Sequence, residues 1–183
     1  MTYVETRPPD PFAVASGQQT MRREDCSSVA LAYSTGDVRL TMLRPRYNFT
    51  ATQIIMRTGS TAAAATPSIC RYGLYLLNAA GDTWTLVGST PNDTTLFAAA
   101  NTQYSKTMSA SVAMNPASRY AITAMCVTAT TAPSFTGVST QADVLNIAPA
   151  MSGTLLAQTD LPSSILVASL GTTSQLFFGI VAP

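Results

Sequence analysis

Apolar and polar residues alternate in short runs from about residue 29 to the end of the chain, and a period of two predicts strands rather than helices. The strongest run is Ile69–Leu77, ICRYGLYLL. Large residues fill both alternation classes there, with Arg71, Tyr75 and Leu77 on one face and Tyr72, Leu74 and Leu76 on the other. Such a strand is expected at the centre of a sheet, covered on both faces. Asn78-Ala-Ala-Gly-Asp82 supplies turn chemistry, and residues 83–87 resume the alternation with Trp84 and Leu86, so the pair reads as a hairpin. Residues 119–128 form the second strongest run. Tyr120, Ile122, Ala124 and Cys126 face one way and Ala121, Thr123, Met125 and Val127 the other, and this strand is expected beside Ile69–Leu77.

The weaker runs complete the sheets. Residues 29–33, the turn Ser34-Thr-Gly-Asp37 and Val38–Leu43 predict an antiparallel hairpin, which Pro45 ends because proline cannot donate to a ladder. Phe49–Arg57 places Ile54 and Met56 on one face and Phe49, Gln53 and Ile55 on the other. Residues 104–112 predict an outer strand, and residues 174–181, SQLFFGIV, a closing strand with Leu176, Phe178 and Ile180 on one face.

Between the strands, residues 59–67 hold too few alanines to nucleate a helix and read as a loop crossing the sandwich. Residues 89–97 combine the turn residues Pro91-Asn92-Asp93 with the anchor Leu96-Phe97, which predicts a pinned loop, and residues 98–101 predict one helical turn. Residues 129–144 are rich in Ser, Thr, Pro and Gly and predict a long surface loop before a short apolar run at 144–148. Residues 155–166 read as irregular. The expected fold is all-β, an antiparallel β-sandwich of jelly-roll type with about eight strands. Residues 1–28, with Pro8-Pro9-Asp10-Pro11, read as an extended N-terminal arm, either a floppy tail or an arm that orders against a partner subunit and anchors it, and residues 29–183 as the β-sandwich domain.

Composition sharpens this picture. Only 10% of the 183 residues are charged, well below the quarter or so usual in soluble domains, which suits strands with neutral polar outer faces. The ten basic residues, nine Arg and Lys106, are scattered and balanced by nine carboxylates, so no nucleic-acid partner is expected. No run approaches the length of a membrane span and the N-terminus carries no apolar signal segment, so neither secretion through a signal peptide nor membrane insertion is expected. The sequon-like Asn48-Phe-Thr50 and Asn92-Asp-Thr94 then read as chance matches.

Candidate chemistry is sparse. There is no histidine, so a cysteine or serine nucleophile lacks its usual base. Asp37, Asp82 and Asp93 occupy turn positions, and no predicted strand carries an inward carboxylate. Gly171-Thr-Thr-Ser174 lacks the lysine of a phosphate loop. The cysteines Cys26, Cys70 and Cys126 lack metal-site spacing. Cys70 and Cys126 read as buried free thiols, with a bridge between them as the alternative if their strands are neighbours. No enzyme activity, catalytic residue, metal or cofactor is expected, and no ligand-binding residue is assigned. Trp84 reads as a core residue, with a sugar-stacking platform as the alternative.

The segment as a whole resembles a known family. Arg71-Tyr-Gly-Leu-Tyr75, Leu86-Val-Gly-Ser-Thr90, Asn92-Asp-Thr-Thr-Leu-Phe97, Tyr104-Ser-Lys106 and Arg119-Tyr-Ala-Ile122 together resemble a β-rich domain of tailed bacteriophages, particularly those of actinobacteria. It stands at the end of minor tail and other virion proteins. The likeness spans residues 40–137. It implies a virion structural protein, a tail or neck appendage or a capsid decoration subunit, built in the host bacterial cytoplasm. Its expected partners are other virion proteins and further copies of itself, a trimer being the first expectation. The alternative is a phage-tail module that binds a host-surface glycan or receptor, suggested by the aromatic residues and the loop 129–144.

Overall fold

A computed structural model describes residues 17–22, 25–63, 67–128, 130–139 and 150–183. Among them the strands, in chain order, are β1 (Gln18–Gln19), β2 (Ser27–Leu31), β3 (Val38–Leu43), β4 (Phe49–Arg57), β5 (Ile69–Leu77), β6 (Thr83–Ser89) and β7 (Gln103–Met114). They continue with β8 (Tyr120–Val127), β9 (Phe135–Ser139), β10 (Ser152–Leu155), β11 (Ser164–Leu166), β12 (Gln175–Phe177) and β13 (Gly179–Ala182). The all-β, antiparallel reading holds. The strands outnumber the expected eight or so because short pieces such as β1, β10, β11 and β12 extend the sheets.

The strands form three antiparallel sheets, ordered β1-β13-β4-β7, β10-β3-β8-β5-β6-β11 and β12-β9-β2. The first two face each other across the main core, to which β4 gives Ile54 and Met56, β5 gives Tyr72 and Leu74, and β8 gives Tyr120 and Ile122. The third sheet curls round one side. Thr58 at the end of β4 bridges to Phe135 of β9, and the Phe177 N–H of β12 donates to Thr41 Oγ1 on β3. Phe135 stacks edge-on with Tyr33, Phe97 and Phe177, an arrangement that adds to the burial of each ring.

The outer face of the six-stranded sheet is also covered. Val38, Leu40, Tyr75, Trp84, Ala121 and Met125 pack there under Leu161 and Ile165 from the 156–170 segment. This second layer explains why β5 and β8 are apolar on both faces, and each divides its side chains between the two cores as its alternation predicts. β8 pairs with β5 along its whole length.

Several local expectations are corrected. The turn at Ser34–Asp37 forms, with Gly36 at φ 72, yet no hairpin surrounds it, since β2 pairs with β9 while β3 pairs with β8 and β10. Tyr33 sets this crossing by burying its ring against Phe135, and the Gly36 N–H ties the turn to Cys126 O. Residues 174–181 are two strands in different sheets, not one. Thr20 clamps the bend between them: its hydroxyl donates to Phe177 O and accepts from the Gly179 N–H. The bend brings Phe177 into the core in place of Phe178, which is half-buried.

Phe49 packs toward the main core rather than with Gln53 and Ile55, because an irregularity between Ala51 and Gln53 reverses the alternation of β4. Residues 98–101 form a hydrogen-bonded turn with Asn101 at φ 53 and no helix. Residues 135–139, expected within a loop, are β9. The rest of that loop from 140, and the apolar run at 144–148, lie outside the described residues, as do residues 1–16 of the expected arm. Within the same stretch 1–28, β1 pairs with β13 and β2 begins at Ser27.

Candidate functional site

Two recesses and one pinned loop gather most of the side chains with chemical potential. The first recess, about 250 Å³, lies on the outer face of the six-stranded sheet between Leu40, Met42, Leu77, Trp84 and Leu170. Trp84 stands opposite Leu77 of β5 and Ile165 of β11. Its indole is only 5% exposed, so it forms a wall of the core rather than a platform on which a sugar ring could lie. Arg119 stands at the edge of this recess and is exposed. Apart from Arg119 and the buried, unpartnered Ser152 hydroxyl the lining is apolar, so few polar groups are there to orient a ligand.

The second recess, about 340 Å³, is polar and borders Arg39, Thr154 and Gln175. Arg39 is held on all sides. Its Nη2 pairs with Asp37 Oδ2 at 3.0 Å, its Nη1 donates to Ala32 O at 2.8 Å and to Gln175 Oε1, and its guanidinium lies 5.3 Å from the centre of the Tyr33 ring. Tyr33 in turn donates to Asp37 O at 2.6 Å, and burial holds its hydroxyl well above the usual tyrosine range. Asp37 is therefore more than a turn residue: it is buried and neutralises the cation that ties β3 to β12. Sequence reasoning missed this pair, and its available signal was the Asp-Val-Arg spacing, which sets Asp37, just before β3, on the same side of the chain as Arg39.

The loop after β6 is pinned as expected. Asn92 Oδ1 accepts from the Cys70 N–H at 2.8 Å and Asn92 Nδ2 donates to Ser68 O at 3.0 Å. Asp93 accepts from the Thr95 N–H and hydroxyl at 2.9 and 2.6 Å and pairs with Lys106 of β7. The hydrogen bond from Lys106, followed by those from Thr95, lowers the Asp93 carboxyl to about 2. Leu96 and Phe97 then bury completely. Asp82 caps the β5–β6 turn, accepting from Asn78 Nδ2 at 2.7 Å and the Thr83 hydroxyl at 2.8 Å, and these bonds lower its pKa. The three aspartates sit in separate places, each already bonded to a neighbour.

Cys70 and Cys126 are direct cross-strand partners on β5 and β8, both fully buried, with their sulfurs 2.7 Å apart and unbonded. Cys26 lies apart from them, half-buried, its thiol raised to about 11 by burial and by Asp25. Among the described residues, no three His, Cys, Asp or Glu side chains come together in a way that could hold a metal ion. No protein-family model matches this chain, and no curated protein is significantly similar to it.

Proposed function

We propose that the chain is a non-enzymatic structural subunit of a bacteriophage particle, a tail or neck appendage or a capsid decoration protein. It assembles through its N-terminal arm and through contacts with further copies of itself. The observation that carries this reading is the role of the segment bearing the family likeness. Its polar side chains, Asn78, Asp82, Asn92, Asp93, Thr95 and Lys106, are engaged in fixing turns and joining strands. A framework with its polar groups engaged in this way suits a subunit whose work is to hold shape.

The strand order gives a second line of support. Successive strands pass from β3 to β4, to the β5–β6 hairpin, to β7 and back to β8, crossing each time between the facing sheets β10-β3-β8-β5-β6-β11 and β1-β13-β4-β7. This passage between two facing antiparallel sheets supports the jelly-roll reading of the sandwich, an architecture used by viral capsid and lectin domains, while fold by itself does not assign function. Exposed Leu156 and Leu166, 63% and 61% accessible, favour contact with another subunit.

The test is made in the particle. The chain should be found by mass spectrometry in purified virions, and its absence would overturn the reading. Deleting residues 1–16, which leaves β1 in place on β13, should give a folded domain that no longer enters particles. Incorporation at normal levels would remove the arm from the proposal. The glycan-binding alternative loses its platform with Trp84 buried; binding on a host-glycan array by a chain missing from virions would restore it.

A further inference from the structure

We propose that Cys70 and Cys126 are a preformed dithiol site, which closes to an intramolecular disulfide between β5 and β8 when the folded protein meets a small peroxide. The backbone register places them for it. The Leu77 N–H donates to Arg119 O at 2.9 Å, so hydrogen-bonded pairs of the β5–β8 ladder fall on odd-numbered residues of β5. Cys70 and Cys126 occupy the alternate, non-hydrogen-bonded kind of pair. Their backbone groups are engaged elsewhere: the Cys70 N–H with Asn92 Oδ1, Cys70 O with the Asp93 N–H, and Cys126 O with the Gly36 N–H. In such pairs the Cα atoms stand about 4.5 Å apart, inside the roughly 4.4–6.8 Å that a disulfide spans. With the sulfurs at 2.7 Å, bonding needs only a small turn about each Cα–Cβ bond.

The chemistry is that of vicinal thiols with a peroxide. One of the two thiols donates its S–H to the other sulfur, and this shared hydrogen bond lowers the Cys126 thiol and raises that of Cys70. The Cys126 thiolate attacks one peroxide oxygen, breaking the O–O bond; the Cys126 sulfur becomes a sulfenic acid, and the released hydroxide takes up a proton to give water. The Cys70 sulfur then attacks the sulfenic sulfur. An S–S bond forms, the S–O bond breaks, and the Cys70 proton leaves with the hydroxide as a second water. Two thiols are oxidised and one hydrogen peroxide is reduced to two waters. Access comes from the sheet's end: Cys70 is the second residue of β5 and Cys126 the last but one of β8, beside the 34–37 turn and the loop after β6. Fraying there admits a water-sized oxidant without global unfolding. The bridge depends on β5 and β8 alone and not on the proposed role in a virion.

The full chain, treated with hydrogen peroxide under native conditions, alkylated in denaturant and digested without reduction, should yield one peptide linking Cys70 to Cys126. Free thiols should fall from three to one, leaving Cys26. The thermal midpoint should rise, because the bond joins residues 56 apart in sequence and restricts the unfolded chain, and dithiothreitol should reverse the rise. Cys126→Ser should show neither the linked peptide nor the shift. Recovery of both thiols fully alkylatable, or their conversion to sulfinic acid without a link, would overturn the proposal; the peptide map of the unmutated chain decides it even if the variant does not fold.

Discussion

At the scale of single residues, Phe97 carries the most instructive conflict. A bulky residue at φ 71 is strained, yet its ring is fully buried and meets Tyr72, Tyr104 and Phe135 with centroids 5.5, 5.8 and 5.0 Å away. The ring burial outweighs the backbone strain, so Phe97→Ala should destabilise the protein by about 3–5 kcal/mol in urea unfolding. Thr94→Ala, exposed in the same loop, should change it by less than about 0.5 kcal/mol. Equal effects would mean that the loop is not anchored by the ring. Asp93 supplies the pH dependence. Its folded pKa of about 2 lies below the ordinary 3.8, so the stability it contributes is complete above pH 4 or so and is lost as pH falls toward 2. The pair with Lys106 is partly exposed, which keeps the contribution under about 1 kcal/mol. Asp93→Asn should flatten the acid limb of the stability curve, and an unchanged limb would remove the pair as its cause.

At the scale of elements, β9 shows how a polar, glycine-containing stretch becomes a half-buried strand at the centre of its sheet. Its Gly137 sits where an added Cβ would meet Leu176 O at 2.1 Å and Leu31 Cδ1 at 2.8 Å. The backbone oxygen cannot move without parting β12 from β9, so Gly137→Ala should lose more than about 2 kcal/mol and expose the Phe135–Phe177 contact. Gly81, at φ 78 with no atom within 4 Å of an added Cβ, is the comparison: Gly81→Ala should lose only about 1–2 kcal/mol of backbone preference. The two variants, followed by thermal unfolding, separate steric exclusion from conformational strain. A Gly137→Ala protein as stable as Gly81→Ala would show that β12 and β9 tolerate separation.

At the scale of the whole molecule, the six-stranded sheet is buried between two cores, whereas apolar surface remains exposed at Leu156, Leu166 and Met151. If that surface meets another copy, sedimentation should give a mass that is a multiple of 19.2 kDa. Replacing Leu156 and Leu166 with Ser should then shift the protein toward monomer without lowering its unfolding temperature. A monomer across the micromolar range for the unaltered chain would set aside the self-association part of the proposed function.

The sequence by itself determined the all-β class, the two-faced burial of β5 and β8, the β5–β6 hairpin and the pinned loop after it. These follow from side-chain alternation and turn chemistry, which act between near neighbours in the chain. Only the tertiary structure decided that the 34–37 turn carries the chain between sheets, that residues 174–181 divide between sheets at a bend held by Thr20, and that Asp37 is buried beside Arg39. It also decided that Cys70 faces Cys126. Each of these depends on which strand lies opposite which, and that choice is made by the packing of distant rings such as Tyr33, Phe135 and Phe177 into one core, a contact that no local pattern encodes.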